Sequence, residues 1–308
     1  MKNKLPTVTI GIPALNEQTN IAALLKNLQQ QKEKSFKLEK IIVVSDGSTD
    51  QTCEIVQELR KKDKRIQLVH FEKNAGKAVR LNDLHIMSSS DLLLTIDADV
   101  LFKSKNSIEN LVAYFKDPEV LAVAANHQPI SDEQSFWART FYVNYLLWCK
   151  VRAQFKNGRT IYNSYGSATM SRRSFYSKLR YPQHFTCDEG FIFLAALQKN
   201  GFRYAADVIV FQHPVTSFGD FRKLRSRSTT EIGQLEDYFG NIDQYYYVPP
   251  KYKVRAVLSS LLEHPLLTAT SVICNLYVSF FPYQNKLASH GSWERVGSTK
   301  RAYFFEAE

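Results

Sequence analysis

Apolar residues follow two rhythms over the first 125 residues. Val8 to Pro13, Ile41 to Val44, Ile66 to Phe71 and Leu92 to Ile96 are short, near-continuous apolar runs. Between them, residues 17–31, 51–61 and 76–88 place apolar side chains at helical spacing, as with Ile21, Leu24, Leu25 and Leu28. A strand that is apolar at nearly every position is buried on both faces. Such strands alternating with helices predict a parallel sheet covered on both sides and joined by right-handed crossovers. The expected fold class is therefore α/β, a doubly wound, mostly parallel sheet. Ligands of these sheets bind beyond the carboxyl ends of the strands, so the polar residues after each strand are where chemistry is expected.

Past residue 125 the rhythm loosens. Residues 134–155 predict one unusually aromatic helix, with Phe136, Trp137, Phe141, Tyr142, Tyr145 and Trp148. Strands are expected near 161–170 and 203–211, a helix near 188–199 and a basic helix over 217–239. The chain then divides into an α/β half (1–125), a second half of the same domain (126–245) and a helical tail (246–308). Pro265 to Asn285 carries no charge, and Lys251, Lys253 and Arg255 precede it while Lys286, Arg295, Lys300 and Arg301 come after it. A span needs roughly 20 apolar residues. Basic residues at both ends favour keeping both on the cytoplasmic side, so an interfacial or re-entrant membrane-associating hairpin is expected ahead of a span or a buried helix. The aromatic helix 134–155 offers a second membrane contact or, equally, a core helix.

Composition adds three constraints. With 308 residues, 44% of them hydrophobic, the chain can bury a large core. The net charge of +10 calls for an anionic partner: a phosphate-bearing substrate, acidic lipid or nucleic acid. The basic residues are scattered and carry no RNA-binding signature, so no nucleic acid is expected. Cys53, Cys149, Cys187 and Cys274 lie far apart without CxxC spacing, which argues against a zinc cage or disulfide framework. The opening MKNKLPTVTIGIP has no long apolar stretch of the signal-peptide kind, and the chain is expected at the cytoplasmic face of the cell membrane.

Three strand ends carry carboxylates: Asn16-Glu17 after the first, Asp46-Gly47-Ser48-Thr49-Asp50 after the second, and Asp97-Ala98-Asp99 after the fourth. Asp46 sits at its strand end, whereas Thr49 or Asp50 also suits a helix N-cap. Two aspartates one residue apart after a buried strand provide hard oxygen ligands for Mg2+ or Mn2+, and such an ion can bridge a diphosphate. A pair of solvated loop aspartates is the alternative.

The segments Ile12-Pro13-Ala14-Leu15-Asn16-Glu17, Val44-Ser45-Asp46-Gly47-Ser48-Thr49-Asp50, Asn74-Ala75-Gly76-Lys77-Ala78-Val79-Arg80-Leu81-Asn82 and Asp97-Ala98-Asp99 resemble the family 2 glycosyltransferases in order and spacing. The resemblance implies a GT-A fold and an inverting transfer from a nucleotide sugar (a UDP- or GDP-sugar) to a lipid-linked or cell-envelope glycan acceptor. It also implies Mg2+ or Mn2+ as cofactor. By the same resemblance Pro13, Ala14, Asn16, Glu17 and Asp46 bind the donor nucleoside, Lys77 lies beside base and ribose, Asp97 meets ribose or diphosphate, and Asp99 is the metal ligand. Thr186-Cys187-Asp188-Glu189 stands where the family has its acidic pair, which makes Asp188 the general base, with Glu189 its neighbour. Gly166 and Ser167 would let the donor sugar lie against backbone, although a simple tight turn explains them equally well. Arg225 and Arg227 are candidates to grip the diphosphate, and His213 is a candidate second metal ligand or a structural histidine. The Gln-x-x-Arg-Trp signature of processive members is missing apart from Arg227, which favours transfer of one or a few sugars. A sugar-nucleotidyltransferase would need a Gly-rich basic loop after the first strand, and Pro13-Ala14-Leu15-Asn16-Glu17 does not supply it.

Overall fold

A computed structural model describes residues 4–130, 135–155, 160–163 and 167–283. The strands are β1 Thr7–Ala14, β2 Lys37–Asp46, β3 Ile66–Phe71, β4 Leu92–Ile96, β5 Leu101–Phe102, β6 Ala122–Pro129, β7 Ala168–Arg172 and β8 Phe202–Gln212. The helices are α1 Ile21–Gln29, α2 Thr52–Lys62, α3 Lys77–Met87, α4 Ser107–Tyr114, α5 Phe136–Gln154, α6 Arg173–Tyr176, α7 Asp188–Leu197, α8 Phe218–Phe239, α9 Asp243–Tyr246, α10 Pro250–Glu263 and α11 Pro265–Phe280.

The strands form one sheet in the order β3-β2-β1-β4-β7-β6-β8-β5. The first four behave as expected: β1 pairs in parallel with β2 and β4, and β2 with β3. The rest makes the sheet mixed. β7 lies antiparallel between β4 and β6, and β5 is antiparallel to β8. The strand expected over 161–170 is shorter and later. Residues Ile161–Asn163 form a 3-10 turn, where Tyr162 Oη donates to the Tyr246 carbonyl at 2.8 Å, and pairing starts only at Ala168. Residues 125 and 126 fall within β6, at a register shift, so one sheet runs continuously across that point.

Period-two alternation sorts the side chains onto two cores. Val8, Ile10 and Ile12 of β1 and Ile41 and Val43 of β2 pack with Leu24, Leu25 and Leu28 of α1. Ile42 and Val44 point the other way, onto Ala78, Leu81 and Leu84 of α3 and Phe191 and Phe193 of α7. Both faces are covered, which is why these strands read as apolar throughout.

His85 illustrates the cost of polar groups in the second core. It is buried between Tyr176 and Tyr181, and its Nδ1–H donates to the Leu179 carbonyl at 3.2 Å. Burial pushes its pKa from 6.5 down to about 4. The unfolded chain takes up this proton at higher pH than the folded one, so stability is intact above 6.5 and is lost as pH falls toward about 4. The expected loss is on the order of 3 kcal/mol, read as a falling melting temperature in acid. His85→Asn flattens that part of the stability–pH curve.

Candidate active site

The polar strand ends gather at one rim and lock one another. Asn16 has left-handed backbone (φ 54), tolerated by a short polar side chain. Its Oδ1 accepts from the Thr49 amide at 2.8 Å, its own N–H donates to Ser48 Oγ at 3.0 Å, and the Glu17 amide donates to Thr52 Oγ1 at 2.8 Å. Pro13 and Ala14 close β1 beside Val44 and Ser45. Asp50 accepts from the Gln18 and Thr52 amides and ties the two loops together, while the N-cap of α2 is Gln51, not Thr49 or Asp50, and makes no side-chain capping bond.

Asp46 is buried and accepts from the Ala75 and Gly76 amides, both at 2.9 Å, and from Arg80 Nε at 2.6 Å. Gly76 reaches this position with φ 94, and Gly47 beside Asp46 has φ 77 with the Asn74 amide nitrogen 2.9 Å from where a Cβ would stand. Arg80 lies over the Phe71 ring at 3.6 Å and bonds Asp83 and the Lys73 carbonyl. A carboxylate has about four lone-pair positions. With three filled, one position on Oδ2 has no partner among the described residues. Arg80→Met leaves that carboxylate buried without its cation and is expected to destabilise the fold by about 3–5 kcal/mol, as read from denaturant unfolding.

The Lys77 ammonium lies 2.8 Å from Asp97 Oδ1 and 3.0 Å from Asp188 Oδ2. Three segments meet there: the N-terminus of α3, the end of β4 and the N-terminus of α7. Burial pulls the Lys77 pKa down, but Asp188, Asp97 and Glu189 outweigh it and hold the ammonium well above the ordinary lysine range. Asp97 is pushed up by burial and by repulsion from Asp99 and Asp188, against the pull of Lys77. Glu189 is pushed up to about 8 by burial and by Asp188 beside it. The cluster thus carries more carboxylate than lysine can balance.

Asp99 is buried and accepts from Gln212 Nε2 at 3.1 Å. The Gln212 side chain also bonds His127, whose pKa burial drives down to about 3. His213 comes directly after the end of β8. Ser167 lies beside Asp97, accepting the Asp97 amide on its carbonyl at 3.0 Å, and its buried Oγ has no hydrogen-bond partner among the described residues. Arg225 on α8 lies in the electrostatic range of Tyr162. Gly166 and the side chain of Arg227 fall outside the described residues.

Several residues with a part in this arrangement carry no mark in the sequence pattern. Asn82 exchanges two 2.9 Å bonds with the Tyr181 backbone, fixing the segment before α7 against α3. Gln234 of α8 accepts from the amide and hydroxyl of Thr186, anchoring the approach to Asp188. Gln212 was within reach of the strand-end rule, since it is the last residue of β8. Asn82 and Gln234 act on segments remote in the chain and left no local signal.

The donor set suits a divalent cation in one respect: Asp97 and Asp99 offer hard oxygens where negative charge is in excess. Among the described residues no group of three or more His, Cys, Asp or Glu side chains could hold a metal alone, so further oxygens would have to come from a ligand.

Residues 9–179, more than half of the chain, match the family described as glycosyl transferase family 2. The chain belongs to this family and is a glycosyltransferase. The glycosyltransferase is 23% identical over 225 residues to the O-antigen chain rhamnosyltransferase RfbN of Salmonella typhimurium, covering 70% of this chain and 69% of that one. It is 27% identical over 154 residues to the poly-beta-1,6-N-acetyl-D-glucosamine synthase of Staphylococcus aureus, covering 49% of this chain but only 36% of the synthase. Among solved structures, the mannosyltransferase PcManGT of Pyrobaculum calidifontis, in complex with GDP-Man and Mn2+, matches with a TM-score of 0.58 at 19% identity, over 93% of this chain and 78% of that one. Residues 1–349 of S. aureus TarS, in complex with UDP-GlcNAc, match with a TM-score of 0.51 at 19% identity, over 73% and 66%. These likenesses show the fold, a mixed α/β sheet of the GT-A kind.

Proposed function

We propose that this glycosyltransferase moves a sugar from a UDP- or GDP-sugar to a hydroxyl of a lipid-linked or cell-envelope glycan acceptor, with inversion, at the cytoplasmic face of a membrane. The observation that carries the reading is the Lys77 ammonium held between Asp97 and Asp188, so that the strand-end aspartate and the helix-start aspartate share one cation. The relatives support the substrate class: one is an O-antigen rhamnosyltransferase and another a polysaccharide synthase, and two structural neighbours hold GDP-Man and UDP-GlcNAc.

In this reading the remaining lone pair of Asp46 accepts a base N–H, and the β1–α1 loop of Pro13, Ala14, Asn16 and Glu17 walls the nucleoside. Ser167 Oγ, buried and without a partner among the described residues, offers a donor to the sugar or diphosphate. Asp188 releases Lys77 and takes the proton of the acceptor hydroxyl as its oxygen bonds to the anomeric carbon and the bond to the diphosphate oxygen breaks. One in-line displacement inverts configuration. Lys77, freed from Asp188, turns its charge toward the leaving diphosphate, with Arg225 and Arg227 as further cations. Mg2+ or Mn2+ held by Asp99, with Asp97 or His213 beside it and oxygens of the diphosphate, would neutralise charge developing on that group. The missing Gln-x-x-Arg-Trp signature favours addition of one or a few sugars.

The test is a panel of UDP- and GDP-sugars with lipid-phosphate and glycolipid acceptors, read as metal-dependent release of nucleoside diphosphate. Acceptor-stimulated UDP or GDP is expected. Pyrophosphate as product, or no turnover of any sugar nucleotide, would overturn the reading.

A further inference from the structure

The inward side of helix α11 mixes Leu267, Cys274 and Val278 with Thr268, Ser271 and Asn275, which spend their polar groups internally. Thr268 Oγ1 donates to the Ser260 carbonyl, and Ser271 Oγ and Asn275 Nδ2 donate to Asn144 Oδ1 of α5 at 2.9 and 2.7 Å. Its outward face is apolar and uncharged: Leu266 is 68% exposed, Ile273 65% and Phe280 77%. Helix α10 continues this surface, with Val254, Leu258 and Leu262 at i, i+4 and i+8 and Leu262 89% exposed beside the turn at His264. Water is a poor solvent for such a face, and a soluble monomer rarely leaves so much contiguous apolar surface open.

The patch does not stop at the hairpin. Tyr277 packs edge-on against Phe218 at the start of α8 (5.5 Å), and Phe218 lies 5.8 Å from Trp137 at the start of α5. Tyr277 and Trp137 are both exposed. Positive charge borders it: Lys251, Lys253 and Arg255 are exposed on α10, Arg139 is exposed on α5, and Arg222 lies 5.8 Å over the Tyr277 ring. The one acidic residue of α10, Glu263, is paired with Lys150 at 2.8 Å. Aromatic residues at the border, apolar side chains outward and cations alongside form the profile of a headgroup-level contact with an anionic leaflet. Among the described residues no helix is long and apolar enough to cross a membrane.

We propose that the outward face of α10–α11, extended through Tyr277 and Phe218 to Trp137, docks on an anionic lipid bilayer, lying in the plane of the headgroups. None of these residues belongs to the candidate active site, so donor turnover with a soluble acceptor reports separately on the catalytic reading.

The experiment is flotation of the full chain with phosphatidylglycerol/phosphatidylethanolamine vesicles and with phosphatidylcholine vesicles. The wild type is expected to float with the anionic vesicles and less with the neutral ones, and added salt is expected to weaken retention. Leu262→Glu combined with Phe280→Glu is expected to cut retention about tenfold or more, while the melting curve and donor turnover stay unchanged because both side chains point into solvent. Three results would overturn the proposal. One is wild-type protein that stays out of the anionic vesicles. The second is a concentration-dependent dimer that the double variant abolishes, which would make a second copy the occupant. The third is a chain that binds vesicles only after residues 284–308 are deleted, which would make that segment the cover.

Discussion

Asp188→Asn is expected to lower the rate of sugar transfer by about 100- to 10,000-fold while leaving donor affinity within a few-fold of the wild type. The substitution keeps the size and shape of the side chain at the start of α7 and removes only its ability to accept a proton. The fold around it is held by other groups: Thr186 on Gln234, Asn82 on the Tyr181 backbone, and Phe191 and Phe193 in the core. Lys77 loses one of its two carboxylate partners but keeps Asp97 at 2.8 Å, so the cleft retains an ion pair. The loss therefore belongs in kcat, with KM for the donor nearly unchanged. A parallel rise in donor Kd would show Asp188 to be a binding residue, and unchanged turnover would remove it from the reaction.

Asp99→Asn is expected to cost about 100-fold or more in transfer and to move metal activation to much higher concentration. The carboxylate is buried, and one oxygen already accepts from Gln212, a bond that an asparagine carbonyl can also accept. Geometry is thus preserved while a negative charge is removed, and an oxygen ligand for a hard cation is weakened. Activity as a function of Mn2+ for wild type and variant separates this from unfolding: a shifted midpoint is the expected signature, and a uniform loss with the same midpoint would contradict it. Gln212→Leu removes the hydrogen bond and leaves the charge, so its effect on the midpoint is expected to be smaller.

Residues at the ends of β1, β2 and β4 were legible because the same physics writes both the strand and the site. Val8, Ile10 and Ile12 alternate with residues facing the other core, and the chain leaving such a strand emerges at the rim where Asn16, Asp46 and Asp97 stand. The second half was harder to read. β7 is inserted antiparallel between β4 and β6, which depends on a slot left by strands remote in sequence and not on its own five residues. β5 is two residues long, too short to show a period. Ile161 and Tyr162 look like the start of a strand, but the Tyr162 hydroxyl is engaged by the Tyr246 carbonyl and the backbone turns. Lys77 was legible as a cation near phosphate. Its position between Asp97 and Asp188 arises only from packing α3 and α7 on the same face of the sheet.

Transfer by the proposed route requires one site to hold a nucleotide diphosphate together with a divalent ion on Asp99. Electron paramagnetic resonance of Mn2+, titrated into the chain with UDP or GDP present, tests it directly. A protein-bound Mn2+ signal is expected only with the nucleotide, because no protein group of three ligands stands ready among the described residues, and it is expected to disappear in Asp99→Asn. Bound Mn2+ that ignores both the nucleotide and the Asp99 substitution would contradict it.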